Sequence, residues 1–357
     1  MQPPPFPEIV VDAFERVEEV LGRDWIASTR QIPGGQVQGP SPLLTVVSMG
    51  GRLSVLEAVE GAGKLVAKLK RHDSSAEAEL TAMHLLYVRK KTARIEYEPD
   101  SRNGRKADFR IQVEGVNWTY VEVTKPNISD ERERLMGILG RITSLVWEIK
   151  RQFALEVFFR REPNDEEIDP LLTRIRQFCA EGTNKREEVD SLALLILSDV
   201  TPGQITPHQE PGDNATPRLS EAKMVGGGGE PSRHVVARIP YSDKRADKFL
   251  SDEAAQLSKD HPGLIMVDAG GDPTVFSSWG AILARRFQPN IHTRVSGVCL
   301  FAPYLIPLAD SLVWVPAVKF LINPHARLAL PSWISSALLD AAHDFGTVLA
   351  ASRPPQQ

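Results

Sequence analysis

Two short runs of alternating residues carry acids where strands usually carry none. Asp108 stands in Ala107-Asp108-Phe109-Arg110-Ile111-Gln112-Val113, and Glu122 stands in Thr119-Tyr120-Val121-Glu122-Val123-Thr124-Lys125. Glu114-Gly115-Val116-Asn117 joins the two runs. Strand side chains alternate with period two, so Asp108 shares a face with Arg110 and Gln112, and Glu122 with Tyr120 and Thr124. If the runs pair as a hairpin, two carboxylates meet at one end of a sheet. An acid inside a Val-rich strand needs a reason beyond packing, and the reason that suits this pair is a divalent metal. Magnesium is held by one or two carboxylates, with waters and phosphate oxygens completing its shell. Such an ion polarises a phosphate and lowers the pKa of a bound water. Without a cation, clustered carboxylates repel one another and their pKa values rise.

The elements that must position these acids can be read from periodicity. Asp73 or Ser74 caps a helix through Glu77, Glu79, Leu80, Met83, Leu86 and Tyr87 to about Lys91. Ala93 to Glu98 reads as a strand, and a polar turn from Asp100 to Lys106 leads into the acid-bearing hairpin. Ser129 and Asp130 open a long helix expected to reach about Phe153, with Leu135, Ile138, Leu139, Ile142, Val146 and Ile149 at helical spacing. Beyond it come a strand at Leu155 to Phe159, a helix at Ile168 to Cys179 and a buried strand at Leu192 to Leu197.

Upstream, Glu8 to Gly22 forms an amphipathic helix, and Pro33 to Pro42 is a Gly/Pro-rich connector. Leu43 to Lys70 gives mixed signals and is left unassigned; its Gly61-Ala62-Gly63-Lys64 lacks the spacing of a phosphate loop. Residues 200–232 hold five prolines and the tract Gly226 to Gly229, a composition that favours a mobile loop. Strands at Val235 to Ile239, Leu264 to Asp268 and Val295 to Phe301, a helix at Asp243 to Leu257, and a terminal helix pair over Pro331 to Leu349 follow. Asp268 is a second strand-end acid.

The whole is expected to be α/β, a central mixed sheet flanked by helices. It divides into an N-terminal helical and irregular segment (1–72), a core (73–199), the flexible loop (200–232) and a C-terminal α/β extension packed on the core (233–357). The formal net charge of −4 gives no global pull toward nucleic acid, so any such binding must come from a local basic surface such as Lys68 to Arg71 or Arg89 to Arg94. Two cysteines, Cys179 and Cys299, support neither a disulfide framework nor a zinc site, and the eight histidines show no ligand spacing. The N-terminus lacks a secretory pattern and no apolar run of about 18 residues occurs, so the sequence reads as cytoplasmic with no membrane partner.

The order helix with Glu79, strand, Asp108 strand, Glu122 strand, long helix, strand resembles the PD-(D/E)XK, or restriction-endonuclease-like, nuclease superfamily, whose core is an α-β-β-β-α-β unit. The resemblance covers residues 74–160 and makes 73–199 a nuclease-like core. It implies an Mg2+- or Mn2+-dependent endonuclease acting on DNA, with Asp108 and Glu122 as metal ligands. Glu79 would be an auxiliary ligand or water-positioning base, with Glu77 as its stand-in, and Lys125 the cation. In that family the lysine lies two residues after the acid. Here that position holds Thr124, and a strict strand aims Lys125 at the opposite face unless a bulge before Pro126 swings it back. Arg110 and Lys106 are the alternative cations. Cutting both strands of a duplex needs two sites and so implies a homodimer. The other reading is a catalytically silent nuclease fold serving as a binding or structural module.

Overall fold

The computed structural model describes residues 8–29, 42–99, 107–126, 130–145, 148–182, 184–199, 218–225, 232–241, 245–270, 273–308 and 311–351. In chain order the helices are α1 (Glu8–Val20), α2 (Arg23–Ser28), α3 (Pro42–Leu53), α4 (Ala62–Leu69), α5 (Ser74–Tyr87), α6 (Asp130–Ser144), α7 (Asp165–Ala180), α8 (Arg245–Ala254), α9 (Pro273–Arg286) and α10 (Ser332–Ala351). The strands are β1 (Val59–Glu60), β2 (Arg94–Tyr97), β3 (Phe109–Gln112), β4 (Thr119–Thr124), β5 (Phe153–Phe159), β6 (Lys185–Val189), β7 (Ala193–Ser198), β8 (Arg218–Val225), β9 (Arg233–Pro240), β10 (Gly263–Asp268), β11 (Val295–Leu308) and β12 (Ser311–Ile322). The protein is thus α/β, with mixed sheets flanked by helices. Among the described residues, no helix is long and apolar enough to cross a membrane.

The chain forms two compact units, Met1–Pro126 with Lys244–Gln357, and Asn127–Asp243. The first is built on a seven-stranded sheet of order β1-β2-β3-β4-β10-β11-β12. The acid-bearing runs do pair as an antiparallel hairpin, with Phe109 opposite Val121 and Ile111 opposite Thr119. On its other edge β4 pairs in parallel with β10, Glu122 lying beside Ile265. Period-two alternation sorts these strands between two cores. Val121, Val123, Leu264, Met266, Cys299 and Phe301 join α4 and α5 in one cluster, while Tyr120, Ile265, Val267, Val298 and Leu300 join α8 and α9 in another. All six residues of β10 are buried, as befits a parallel strand covered on both faces.

The second unit has its own sheet, of order β6-β7-β5-β9-β8, and one core that gathers α6 and α7 against β5, β7 and β9. The stretch 73–199, expected as one core, is therefore divided after Pro126. The helix and strand expected to complete it, α6 and β5, belong to the second unit. The open edge of β4 is filled instead by β10, a partner that no local pattern could name. The N-terminal segment is also no separate piece, because Val17, Trp25, Leu65 and Leu69 are part of the core under α5.

Four smaller expectations change. The helix expected from Asp130 to Phe153 stops at Ser144, where Thr143 Oγ1 back-bonds to the Gly140 carbonyl, a contact that weakens a helix end. Residues 218–225, inside the expected loop, form β8, paired antiparallel with β9; 200–217 and 226–231, with the four-glycine tract, lie outside the described residues. The terminal helix pair is one helix, α10, and β11 extends well past Phe301 to pair with the unforeseen β12. The unassigned stretch 43–70 supplies α3, β1 and α4; Gly61 caps α4 in the left-handed region (φ 82°), a backbone conformation that suits glycine.

Candidate functional site

The acids lie near one another because α5 packs on the sheet beside the hairpin of β3 and β4 in the first unit. Asp73 starts α5 by accepting the Ser75 and Ala76 N–H groups at 2.9 and 3.3 Å, and the helix that follows is buried along almost its whole length. Glu79, 3% exposed, is on that helix. Asp108 immediately precedes β3, its Oδ2 accepting the Val123 N–H at 2.7 Å across the hairpin, while its own carbonyl accepts the Glu98 N–H at 2.8 Å. The register that sets Phe109 opposite Val121 sets Asp108 opposite Glu122, and their carboxyls lie within hydrogen-bond reach of each other. Glu122 is 2% exposed, and its Oε1 has no hydrogen-bond partner among the described residues.

Burial and mutual repulsion set the electrostatics. Burial, then the Asp108 charge, pushes Glu122 up to about 10, with Glu253 of α8 adding to the rise. Burial raises Asp108 to about 6 against the pull of the Val123 N–H, the Glu122 carboxyl and Lys68. Glu79 is raised to about 7, again by burial and by Asp108, with the Tyr97 hydroxyl and Lys68 opposing. Burial also raises Glu253. The pocket of acids therefore holds protons near neutrality unless a cation takes their place.

Lysines and a tyrosine line one side of this cluster. Tyr97 Oη donates to Glu79 Oε2 at 2.5 Å and accepts from Lys68 Nζ at 2.8 Å. Lys68 and Lys64 of α4 both pair with Glu98, at 3.0 and 3.4 Å. Burial would lower the Lys68 pKa, but the Glu98 hydrogen bond and the charges of Glu79, Glu98 and Asp108 raise it overall. Lys125 is placed differently. It follows β4 in an unbroken register, so it turns to the face opposite Glu122, where its Nζ pairs with Asp268 Oδ2 at 3.7 Å. Asp268 meanwhile closes a turn by accepting the Gly270 N–H at 2.9 Å. Arg110 is taken up in a cross-strand group, ion-paired with Glu96 and lying 4.4 Å from the Trp118 ring centre. Lys106 lies outside the described residues.

Thus Asp108 and Glu122 meet, Glu79 lies within reach of their charge, and the lysine whose charge is felt by Glu79 and Asp108 is Lys68 rather than Lys125. Lys68 had one signal in the sequence, its place in the basic run Lys68 to Arg71; Tyr97 and Glu253 had none, because each is brought in by long-range packing.

An all-oxygen pair suits magnesium, and a buried carboxylate oxygen with no donor is what an ion would satisfy. Asp108 and Glu122 fit such an ion as a two-carboxylate pair, leaving other positions for water and phosphate. Glu79 is held by Tyr97. Among the described residues no three His, Cys, Asp or Glu side chains are arranged to hold one ion together, so the three-acid ligand set expected from Glu79, Asp108 and Glu122 is not assembled. Compared with known proteins, the chain matches no family model, no curated protein and no solved structure.

Proposed function

We propose that the first unit is a metal-dependent phosphodiesterase of the PD-(D/E)XK type acting on DNA. The observation that carries this reading is the meeting of two buried carboxyls, Asp108 and Glu122, on adjacent strands with Glu122 Oε1 unpartnered. The order of elements supports it. With residues 127–243 set aside as an insertion, α5-β2-β3-β4-α8-β10 reads α-β-β-β-α-β, and α5 and α8 pack on opposite faces of the sheet. A bound Mg2+ or Mn2+ would polarise the scissile phosphate and acidify a water.

The chain's own groups have separate tasks. Asp108 and Glu122 would hold the ion, and their raised pKa values mean that its loading would displace a proton. Glu79, with its pKa near 7, takes a proton from the attacking water, and Tyr97 fixes its orientation. Lys68 offsets the negative charge that builds on the phosphate, the task expected of Lys125. A homodimer would present two such sites to a duplex.

Purified protein incubated with plasmid and single-stranded DNA in Mg2+ or Mn2+ tests the proposal. Cleavage should occur, and Asp108→Ala and Glu122→Ala, each shown to be folded by circular dichroism, should abolish it. Cleavage that survives both substitutions refutes the site.

One observation favours the silent binding module instead. Lys125, the residue that the resemblance would make catalytic, turns away from Glu122 and is engaged by Asp268. If no metal supports cleavage while DNA is still retained, that reading replaces the enzyme. Lys68→Met separates the two, since it should cost activity only if Lys68 serves the reaction.

A further inference from the structure

At one edge of the first unit's sheet, the last strand, β12, pairs only with β11 among the described residues. The register shows which backbone groups that pairing leaves over. Just past the strand, continuing the register that sets Gly297 opposite Ile322, the Asn323 N–H donates to the Ser296 carbonyl at 3.1 Å. The odd-numbered residues therefore bond toward β11, and the even-numbered ones turn their N–H and C=O groups outward. Pro316 fits this parity: it stands opposite Pro303, where its missing N–H would have pointed to the open side. The outward set that follows is Val318, Phe320 and Ile322, and no hydrogen bond to their outward groups occurs among the described residues.

Open edges are normally guarded by charges, bulges or very short strands, and this stretch has little such protection. The single charge between Ala317 and Ile322 is Lys319, and its Nζ donates to the Phe276 carbonyl of α9 at 2.7 Å, which draws it onto a face of the sheet. No bulge interrupts the pairing of β11 with β12. Val318 and Phe320 are only partly covered by the core under α5, Leu321 is partly covered by the core under α8 and α9, and Ile322 is 56% exposed. Ile291 and Leu328, also exposed, stand on segments tied to that end of the strand by the Asn323 and Ser296 side chains. Pro316 and Pro324 each lie four residues from Phe320, so the open stretch is symmetric about that residue.

We infer that β12 pairs with the β12 of a second copy of this chain, antiparallel and with the two-fold axis at Phe320. A strand that meets itself in this way needs two halves that match, because the interface is made of the same patch twice. Here they do. Phe320 faces the partner's Phe320 and Val318 faces the partner's Ile322; all are outward-bonding residues, so each pair exchanges both N–H···O bonds and packs apolar against apolar. Pro316 falls opposite the partner's Pro324, and neither has an N–H to leave unmet. Lys319 falls opposite the partner's Leu321, whereas an axis at Lys319 would set two ammonium groups against each other. The axis runs perpendicular to the sheet, so the joined sheet carries both Asp108–Glu122 pairs on one face. The pairing stands without the phosphodiesterase reading and supplies the contact for the homodimer that the reading uses.

Sedimentation equilibrium of the full-length protein tests the pairing and requires no cleavage. The wild-type protein should have twice the mass of one chain at micromolar concentration. Ile322→Pro removes an outward N–H at an exposed position and leaves the bonds to β11 in place; it should weaken the dimer at least about tenfold, equivalent to about 1.4 kcal/mol. Phe320→Lys sets like charges at the axis and should leave a monomer. Ile9→Lys alters an exposed apolar residue of α1 and should leave the dimer as it is. A wild-type monomer at every concentration, a dimer unmoved by Ile322→Pro, or one lost equally in Ile9→Lys overturns the inference. If circular dichroism shows that Phe320→Lys fails to fold, Ile322→Pro alone decides. A dimer that has these properties but cuts no DNA upholds the pairing and counts only against the enzyme.

Discussion

Glu167 of the second unit and Glu122 of the first live in opposite surroundings. In the second unit Glu167 sits at the start of α7, where Arg161 grips both its oxygens at 2.8 and 2.6 Å and the Asn164 N–H donates at 2.8 Å. The Arg161 hydrogen bonds, with the backbone N–H, hold its pKa down at about 2. Other carboxylates of that unit also have guanidinium partners: Glu187 and Glu181 share Arg174, and Glu148 pairs with Arg176. In the first unit Glu122 faces Asp108 with no guanidinium at hand, and its pKa rises instead. The same side chain is a solvated surface partner in one place and a proton-holding acid in the other. What differs is the charge of the nearest neighbour and the access of water. Only the second arrangement leaves an oxygen for a ligand.

The contrast can be broken most decisively at the acid pair. Glu122→Gln should remove metal-dependent cleavage altogether, measured on plasmid DNA, whereas Glu167→Gln should leave the rate unchanged. A Glu167 variant as inactive as the Glu122 variant would erase the functional difference between the two environments.

Next in size is the pH dependence of stability. Because Glu122, Asp108 and Glu79 bind protons more tightly when folded than unfolded, the metal-free folded state holds more protons between their ordinary and raised pKa values. Their contribution to stability is therefore fully present below about pH 4 and is lost as pH rises toward 10. Thermal unfolding in EDTA should show Tm falling from pH 5 to pH 9, and Glu122→Gln should flatten that fall. Mn2+ should raise Tm, and more at pH 9 than at pH 5, since the ion competes with protons. A pH-independent Mn2+ effect would separate the metal from these acids.

Smaller again is the Tyr97 hydroxyl. Tyr97→Phe deprives buried Glu79 of its donor and Lys68 of an acceptor, and should cost about 1–3 kcal/mol in urea unfolding. It should also move the acidic limb of the cleavage pH profile upward, because Glu79 loses a group that favours its charged form. The least effect is expected at Arg161→Gln: a salt-bridged pair at the surface is screened, so any change in Tm should disappear at high salt.

Much of the local grammar was legible in the sequence. Asp73 announced the start of α5, and period-two alternation found β2, β3 and β4 to within a residue or two. The same alternation put Asp108 and Glu122 on facing strands, whereas Lys125, expected as the cation, keeps strict alternation and turns to Asp268 instead of swinging back at a bulge. What the letters did not disclose was pairing between distant segments. Residues 263–268 read as an apolar run, yet nothing in that run says that it lies beside β4 with a whole compact unit between them in the chain. β12 was missed because Pro316 interrupts a run that is nearly all apolar and so shows no period-two alternation.

The site divides along the same line. Sequence alone fixed which side chains can carry charge, which strand face each occupies and where α5 begins, because these depend on bonds and dihedrals within a few residues. Only the folded chain decided that Lys68 and Tyr97 would stand beside Glu79, that Glu253 would add its charge to the Asp108 and Glu122 pair, and that β12 would be the last strand of its sheet. Those outcomes depend on burial and on long-range partners, and the free energy of a charge or an unpaired backbone group is set by what surrounds it, not by the residue type.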